Sequence, residues 1–129
     1  MEGANLEVEM AGITRIETNP KLSRVVVHNG TAWFSGIVAA DWTLDIQGQT
    51  GQVLSRLDEL LISVGSGRSM VLNAQIWMKD MVADFNAMNE VWSNWFAPGE
   101  TPARATSQVT FDEPGIRLEL IVVAAVAAS

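Results

Sequence analysis

Apolar and polar positions alternate through the first third of the chain. Ile13-Thr14-Arg15-Ile16-Glu17-Thr18 reads as a short strand that Asn19-Pro20 ends, because proline has no amide to donate to a ladder. Val25-Val26-Val27-His28 and Thr31-Ala32-Trp33-Phe34 flank Asn29-Gly30, a pair that tolerates the positive φ angles of a type I′ turn, so a hairpin is predicted. The period then changes. After a polar loop around 41–49, Val53, Leu57, Leu60, Leu61 and Val64 fall on one side of a helix that Gly65-Ser66-Gly67 stops. Met70 to Met78 alternates again, with Val71, Asn73, Gln75 and Trp77 expected on one face and Leu72, Ala74, Ile76 and Met78 on the other. A second helix carries Phe85, Met88, Trp92, Trp95 and Phe96, with Asp80 or Asp84 near its start and Pro98-Gly99 at its end. Two more strands, Ala103 to Thr110 and Ile116 to Val123, flank the turn residues Asp112-Glu113-Pro114-Gly115. The order is βββαβαββ. Both helices are apolar on one side only, so the expected fold is α+β, a mixed sheet with two helices packed on one face. Its other face then needs cover, which further copies of the chain would provide.

Length and composition narrow this picture. At 129 residues, with 48% hydrophobic and 18% charged, the chain fits one globular domain, expected over residues 13–129 behind a flexible tail of residues 1–12. The tail has acids at Glu2, Glu7 and Glu9 and no basic start before an apolar stretch, so no secretory signal is read there. The apolar run Leu118 to Ala128 is shorter than a membrane helix needs and reads as a buried strand. With no cysteine, disulfides and thiolate chemistry are excluded, and a cytoplasmic setting is expected. A net charge of -7 with eight Lys and Arg disfavours nucleic acid as a partner. No membrane partner is expected either.

Candidate chemistry is sparse. His28, the single histidine, precedes a tight turn and reads as solvent-facing, which removes two-histidine metal sites. No dense Asp/Glu loop suggests a metal, and neither Gly48-Gln49-Thr50-Gly51 nor Gly65-Ser66-Gly67 is followed by the Lys-Ser/Thr a phosphate loop needs. No cofactor is expected. Trp77, Trp92 and Trp95 read as packing, whereas Trp42, in a polar loop, reads as a lid or an interface anchor. Arg104 stands apart. It alternates with Thr106 and Gln108, while Glu119 shares a face with Arg117 and Ile121, opposite Leu118, Leu120 and Val122. If the intervening turn pairs these strands, Arg104 and Glu119 share the face away from the helices. Two readings stay open: an Arg–Glu ion pair, or a guanidinium fork for a substrate carboxylate beside a glutamate that handles water.

An ordered set of motifs resembles the RidA (YjgF) reactive-intermediate deaminases, most closely the YoaB-like branch. The set is Arg24-Val25-Val26-Val27-His28-Asn29-Gly30, Trp33-Phe34-Ser35-Gly36, Lys79-Asp80 with Asp84-Phe85-Asn86-Ala87-Met88-Asn89, Pro102-Ala103-Arg104, and Arg117-Leu118-Glu119. The resemblance implies a chorismate-mutase-like fold, a homotrimer with clefts between subunits, and metal-free hydrolysis of 2-imino or 2-enamino acids to 2-oxo acids and ammonia. It implies that Arg104 binds the substrate carboxylate, Glu119 orients or activates water, Ser35 and Gly36 line the cleft, and Asn89 approaches from its wall. Thr106 stands where many members have cysteine. Leu22 replaces the tyrosine usual before the first hairpin, and the chain has no tyrosine anywhere. Two other outcomes remain open beside the deaminase: a trimeric 2-oxo acid-binding or regulatory protein, and a catabolic deaminase for a larger, aminomuconate-like compound.

Overall fold

The computed structural model describes residues 6–127. Its elements are β1 (Glu7–Met10), β2 (Ile13–Thr18), β3 (Ser23–His28), β4 (Thr31–Phe34), α1 (Ile46–Ser63), β5 (Val71–Met78), α2 (Met81–Trp95), β6 (Ala103–Gln108) and β7 (Leu118–Ala125). One mixed sheet runs in the order β1-β2-β3-β4-β7-β5-β6. Both helices pack on one face of it. In β7, Leu118, Leu120, Val122 and Ala124 are buried there with Leu54, Leu57, Leu60 and Leu61 of α1 and Met88 and Trp92 of α2. The predicted hairpin is β3–β4, with Asn29 and Gly30 at φ 51° and 76°.

Four expectations change. Residues 7–10, placed in a flexible tail, form β1 and pair with Ile13–Ile16 through a second tight turn at Ala11-Gly12; residues 1–5 lie outside the described residues. Helix α1 begins at Ile46, inside the supposed polar loop, because Asp45 caps it by accepting the Gly48 amide at 2.8 Å. Its polar Gln49 and Thr50 are buried. Gln49 Nε2 donates to the carbonyls of Trp42, Leu44 and Gly115, its Oε1 accepts the Arg117 amide, and Thr50 Oγ1 donates to the Ile46 carbonyl. Those bonds let polar side chains occupy the core, which a purely apolar periodicity hides. In β5, a bulge between Val71 and Asn73 turns Val71 into the core and exposes Leu72, reversing the facing expected for both. The last change is in strand pairing and belongs with the site.

A further irregularity is at Glu17. The β2–β3 ladder pairs Ile16 with Val25 and Thr18 with Ser23, yet skips Glu17 and Arg24, and Glu17 lies at φ 51°. A non-glycine residue in that left-handed region costs ~1–2 kcal/mol. Its carboxylate leaves the ladder and accepts from Arg56 of α1 at 2.7 Å.

Candidate active site

Strand β6 runs parallel to β5 because α2 carries the chain back over the sheet between them, the crossover that a parallel pair requires. Strand β7 takes the other flank of β5, antiparallel. The expected pairing of the Arg104 and Glu119 strands is therefore wrong, since β5 separates them. Residues 109–117 do not make a tight hairpin turn but span the end of β5, where the Val109 amide donates to the Met78 carbonyl at 2.9 Å and the Lys79 amide to the Arg117 carbonyl at 3.0 Å. Facing changes too. Ala74, buried under the helices, is opposite both Arg104 and Val122, and residues opposite one another in a ladder share a face. Arg104 thus lies on the helix-bearing face. Glu119, opposite Trp77, lies on the outer one.

Two half-sites result. On the helix side, Arg104 Nη1 donates to Asn89 Oδ1 at 2.7 Å, and the guanidinium lies 5.9 Å from the Phe85 ring and 5.7 Å from the Trp92 ring. Phe85, Asn89 and Trp92 form one stripe of α2 by their i, i+4, i+7 spacing, and both rings sit at the edge of cation–π reach. Partial burial draws the Arg104 pKa below its ordinary value, yet a guanidinium remains charged at neutral pH. Asn89 is neutral, and no carboxylate bonds Arg104 among the described residues. Thr106 follows on the same face, opposite Ile76.

On the outer side, Glu119 lies against Gly36, whose Cα leaves room that a Cβ would take from the Glu119 carboxylate. Burial, and then the charge of Asp112, raise the Glu119 pKa above the ordinary carboxylate range. A carboxylate so tuned holds and releases a proton nearer neutrality. Ser35 is occupied: its Oγ donates to the Ser23 carbonyl at 2.6 Å and its amide to that of Arg24 at 2.9 Å. This fixes the bend that brings Gly36 under Glu119. Leu22 sits half-exposed in the β2–β3 turn, where Asn19 Oδ1 accepts the Lys21 and Leu22 amides.

Nothing in the sequence pointed to Asp112 as a neighbour of Glu119, because it lies in a loop whose path depends on the strand order. Trp92, read as packing, is indeed buried, and it also backs Arg104. Trp42 packs its Cβ and carbonyl against Gly115. Among the described residues, no group of three or more His, Asp or Glu side chains gathers as a metal site.

A family model described as Endoribonuclease L-PSP matches residues 12–126, which contain both half-sites. The chain belongs to this family, that of RidA and YjgF, and to its YoaB-like branch. Within the RidA family, the chain is 37% identical to the RutC family protein YoaB of Escherichia coli over 114 residues, 88% of this chain and 98% of that one. A YjgF-family crystal structure from Neisseria meningitidis matches at a TM-score of 0.86 with 35% identity, covering 91% of this chain and 97% of its own. A chloroplastic Reactive Intermediate Deaminase A of Arabidopsis thaliana is 39% identical over 64 residues, 50% of this chain and 33% of that protein.

Proposed function

We propose that this RidA-family chain hydrolyses 2-imino acids, or their 2-enamino tautomers, to 2-oxo acids and ammonia. The observation that carries the reading is Arg104, a cation held by a neutral amide and two aromatic rings with its fork left for an incoming carboxylate. Water adds to the imine carbon, the C–N bond breaks, and ammonia leaves. A protonated imine is already electrophilic, so positioning substrate and water supplies much of the acceleration without a metal. Glu119, with its raised pKa, takes the proton from water as the C–O bond forms and gives it to the nitrogen as the C–N bond breaks and the C=O bond forms.

Within one chain Arg104 and Glu119 lie on opposite faces of the sheet, so the complete site forms between copies. The β6 edge of one copy brings Arg104 to the outer face of the next, where Gly36 and Glu119 lie. That outer face carries Trp33, Trp77, Ile121 and Val123, with Trp33 53% and Trp77 37% exposed, an apolar surface suited to a homotrimer.

The test is Arg104→Ala in a coupled assay that generates 2-iminopropanoate and times release of the oxo acid. Loss of two charge-assisted hydrogen bonds, each worth roughly 1.5–3 kcal/mol, predicts a fall in kcat/KM of about two to four orders of magnitude with the oligomer intact. Undiminished turnover overturns the proposal.

A further inference from the structure

A second cation lies close to Gly36, the residue that underlies Glu119. In a regular β2–β3 ladder Glu17 and Arg24 would stand opposite one another as a cross-strand ion pair. The left-handed conformation of Glu17 breaks the ladder at that pair and sends its carboxylate to Arg56, which also bonds Glu59 at 3.3 Å. Arg24 is left with no ion pair among the described residues. It lines a cavity of about 170 Å³ together with Gly36, Ile37, Val38, Arg56 and Leu60. Backbone strain that takes a counter-ion away from an arginine beside a cavity needs a compensating gain. The position of Gly36 suggests what it is, because this glycine both lines the cavity and underlies the Glu119 carboxylate.

We propose that Arg24 is the anchor of a distal subsite for a second anionic group on the substrate, so that the chain prefers imines of dicarboxylic amino acids over that of alanine. Ile37, Val38 and Leu60 offer an apolar wall for a short carbon chain, and Arg24 offers the charge at its end. Arg56, already neutralised by Glu17 and Glu59, sets the far wall.

The subsite rests on the deaminase reading, and the experiment separates the two. Amino acid oxidases generate 2-iminopropanoate from alanine and 2-iminoglutarate from glutamate, and kcat/KM is measured on each for the full chain and for Arg24→Gln. The wild-type chain is expected to favour 2-iminoglutarate, and R24Q to lower that preference at least tenfold, chiefly through KM. A preference that R24Q leaves in place, or a wild-type chain that turns over only 2-iminopropanoate, overturns the subsite while leaving the deaminase reading standing. Should the wild type hydrolyse neither imine, the deaminase reading falls and calorimetric titration decides the subsite. Tighter binding of 2-oxoglutarate than pyruvate, lost in R24Q, supports it, and equal binding of the two refutes it.

Discussion

Gly36→Ala is the sharpest test of the outer half-site. No positive φ constrains Gly36, so alanine is compatible with its backbone, and the nearest obstacle is the Glu119 side chain, whose Oε2, Cδ and Cγ are the nearest atoms to the new methyl. Those atoms end a flexible side chain. The least costly relief is a change of Glu119 rotamer, worth about 0.5–1.5 kcal/mol. For a domain of this size that lowers Tm by only about 2–7 °C. The chemical consequence is larger, since a catalytic group displaced by about 1 Å costs on the order of 100-fold and loss of a general base 100- to 10,000-fold. We therefore expect a fall of about two orders of magnitude in kcat/KM for 2-iminopropanoate with a nearly intact Tm. A double-mutant cycle supplies the control. In a Glu119→Ala background the obstacle is gone, so adding Gly36→Ala should cost neither stability nor further activity, giving strong coupling between the positions. Additive effects, or full activity in Gly36→Ala alone, would falsify the claim that Gly36 exists to seat Glu119.

Two further predictions test the electrostatics and the core. In the proposed mechanism Glu119 must lose its proton to act, so the acid limb of the pH–rate profile should lie above that of an ordinary glutamate. Asp112→Asn removes a negative neighbour and should move that limb to lower pH, and a stationary limb refutes the coupling. The stability sign is opposite to that of a salt-bridged acid. The folded chain holds the Glu119 proton longer than the unfolded one, so this group's contribution declines as pH rises from the ordinary carboxylate pKa through the raised one, and Glu119→Gln should flatten that slope in denaturant titrations. Gln49→Leu keeps the volume of the core but strands three carbonyls and the Arg117 amide. At about 1 kcal/mol for each of the four bonds, roughly 4 kcal/mol of stability and on the order of 15 °C in Tm should be lost, whereas an unchanged Tm would show that water replaces the side chain.

The sequence specifies the structure wherever a local interaction decides the outcome. Asn29-Gly30 specifies its turn by backbone conformation alone, and the Leu57, Leu60, Leu61 stripe specifies which side of α1 is buried. What alternation along a strand does not encode is the neighbour across it. Arg104 and Glu119 each alternate as expected, but their relative facing depends on β5 entering between β6 and β7, a consequence of the α2 crossover and of the 109–117 connection spanning the end of β5. The left-handed turn of Glu17 is equally hidden, because its sequence neighbours read as an unbroken strand and its partner on α1 is 39 residues away.

The placement of positive charge bears on substrate class as much as any single side chain does. A family described by the word endoribonuclease invites an RNA substrate, but binding of a phosphate backbone draws on several cations along one track. Of the eight Lys and Arg here, Arg56, Arg68 and Arg117 are engaged by carboxylates, and Lys79 bonds the Pro114 carbonyl. Arg15 lies on the outer face, Arg24 at the break in the β2–β3 ladder beside Arg56 and Leu60 of α1, Lys21 in a turn, and Arg104 under α2, so they form no continuous stripe. Single guanidinium groups, each set beside apolar or aromatic side chains, match isolated carboxylates on a small molecule. The strand order that parts Arg104 from Glu119 within one chain is thus compatible with the proposed small acid bridging two copies, with its carboxylate on Arg104 of one and its imine carbon beside Glu119 of the other.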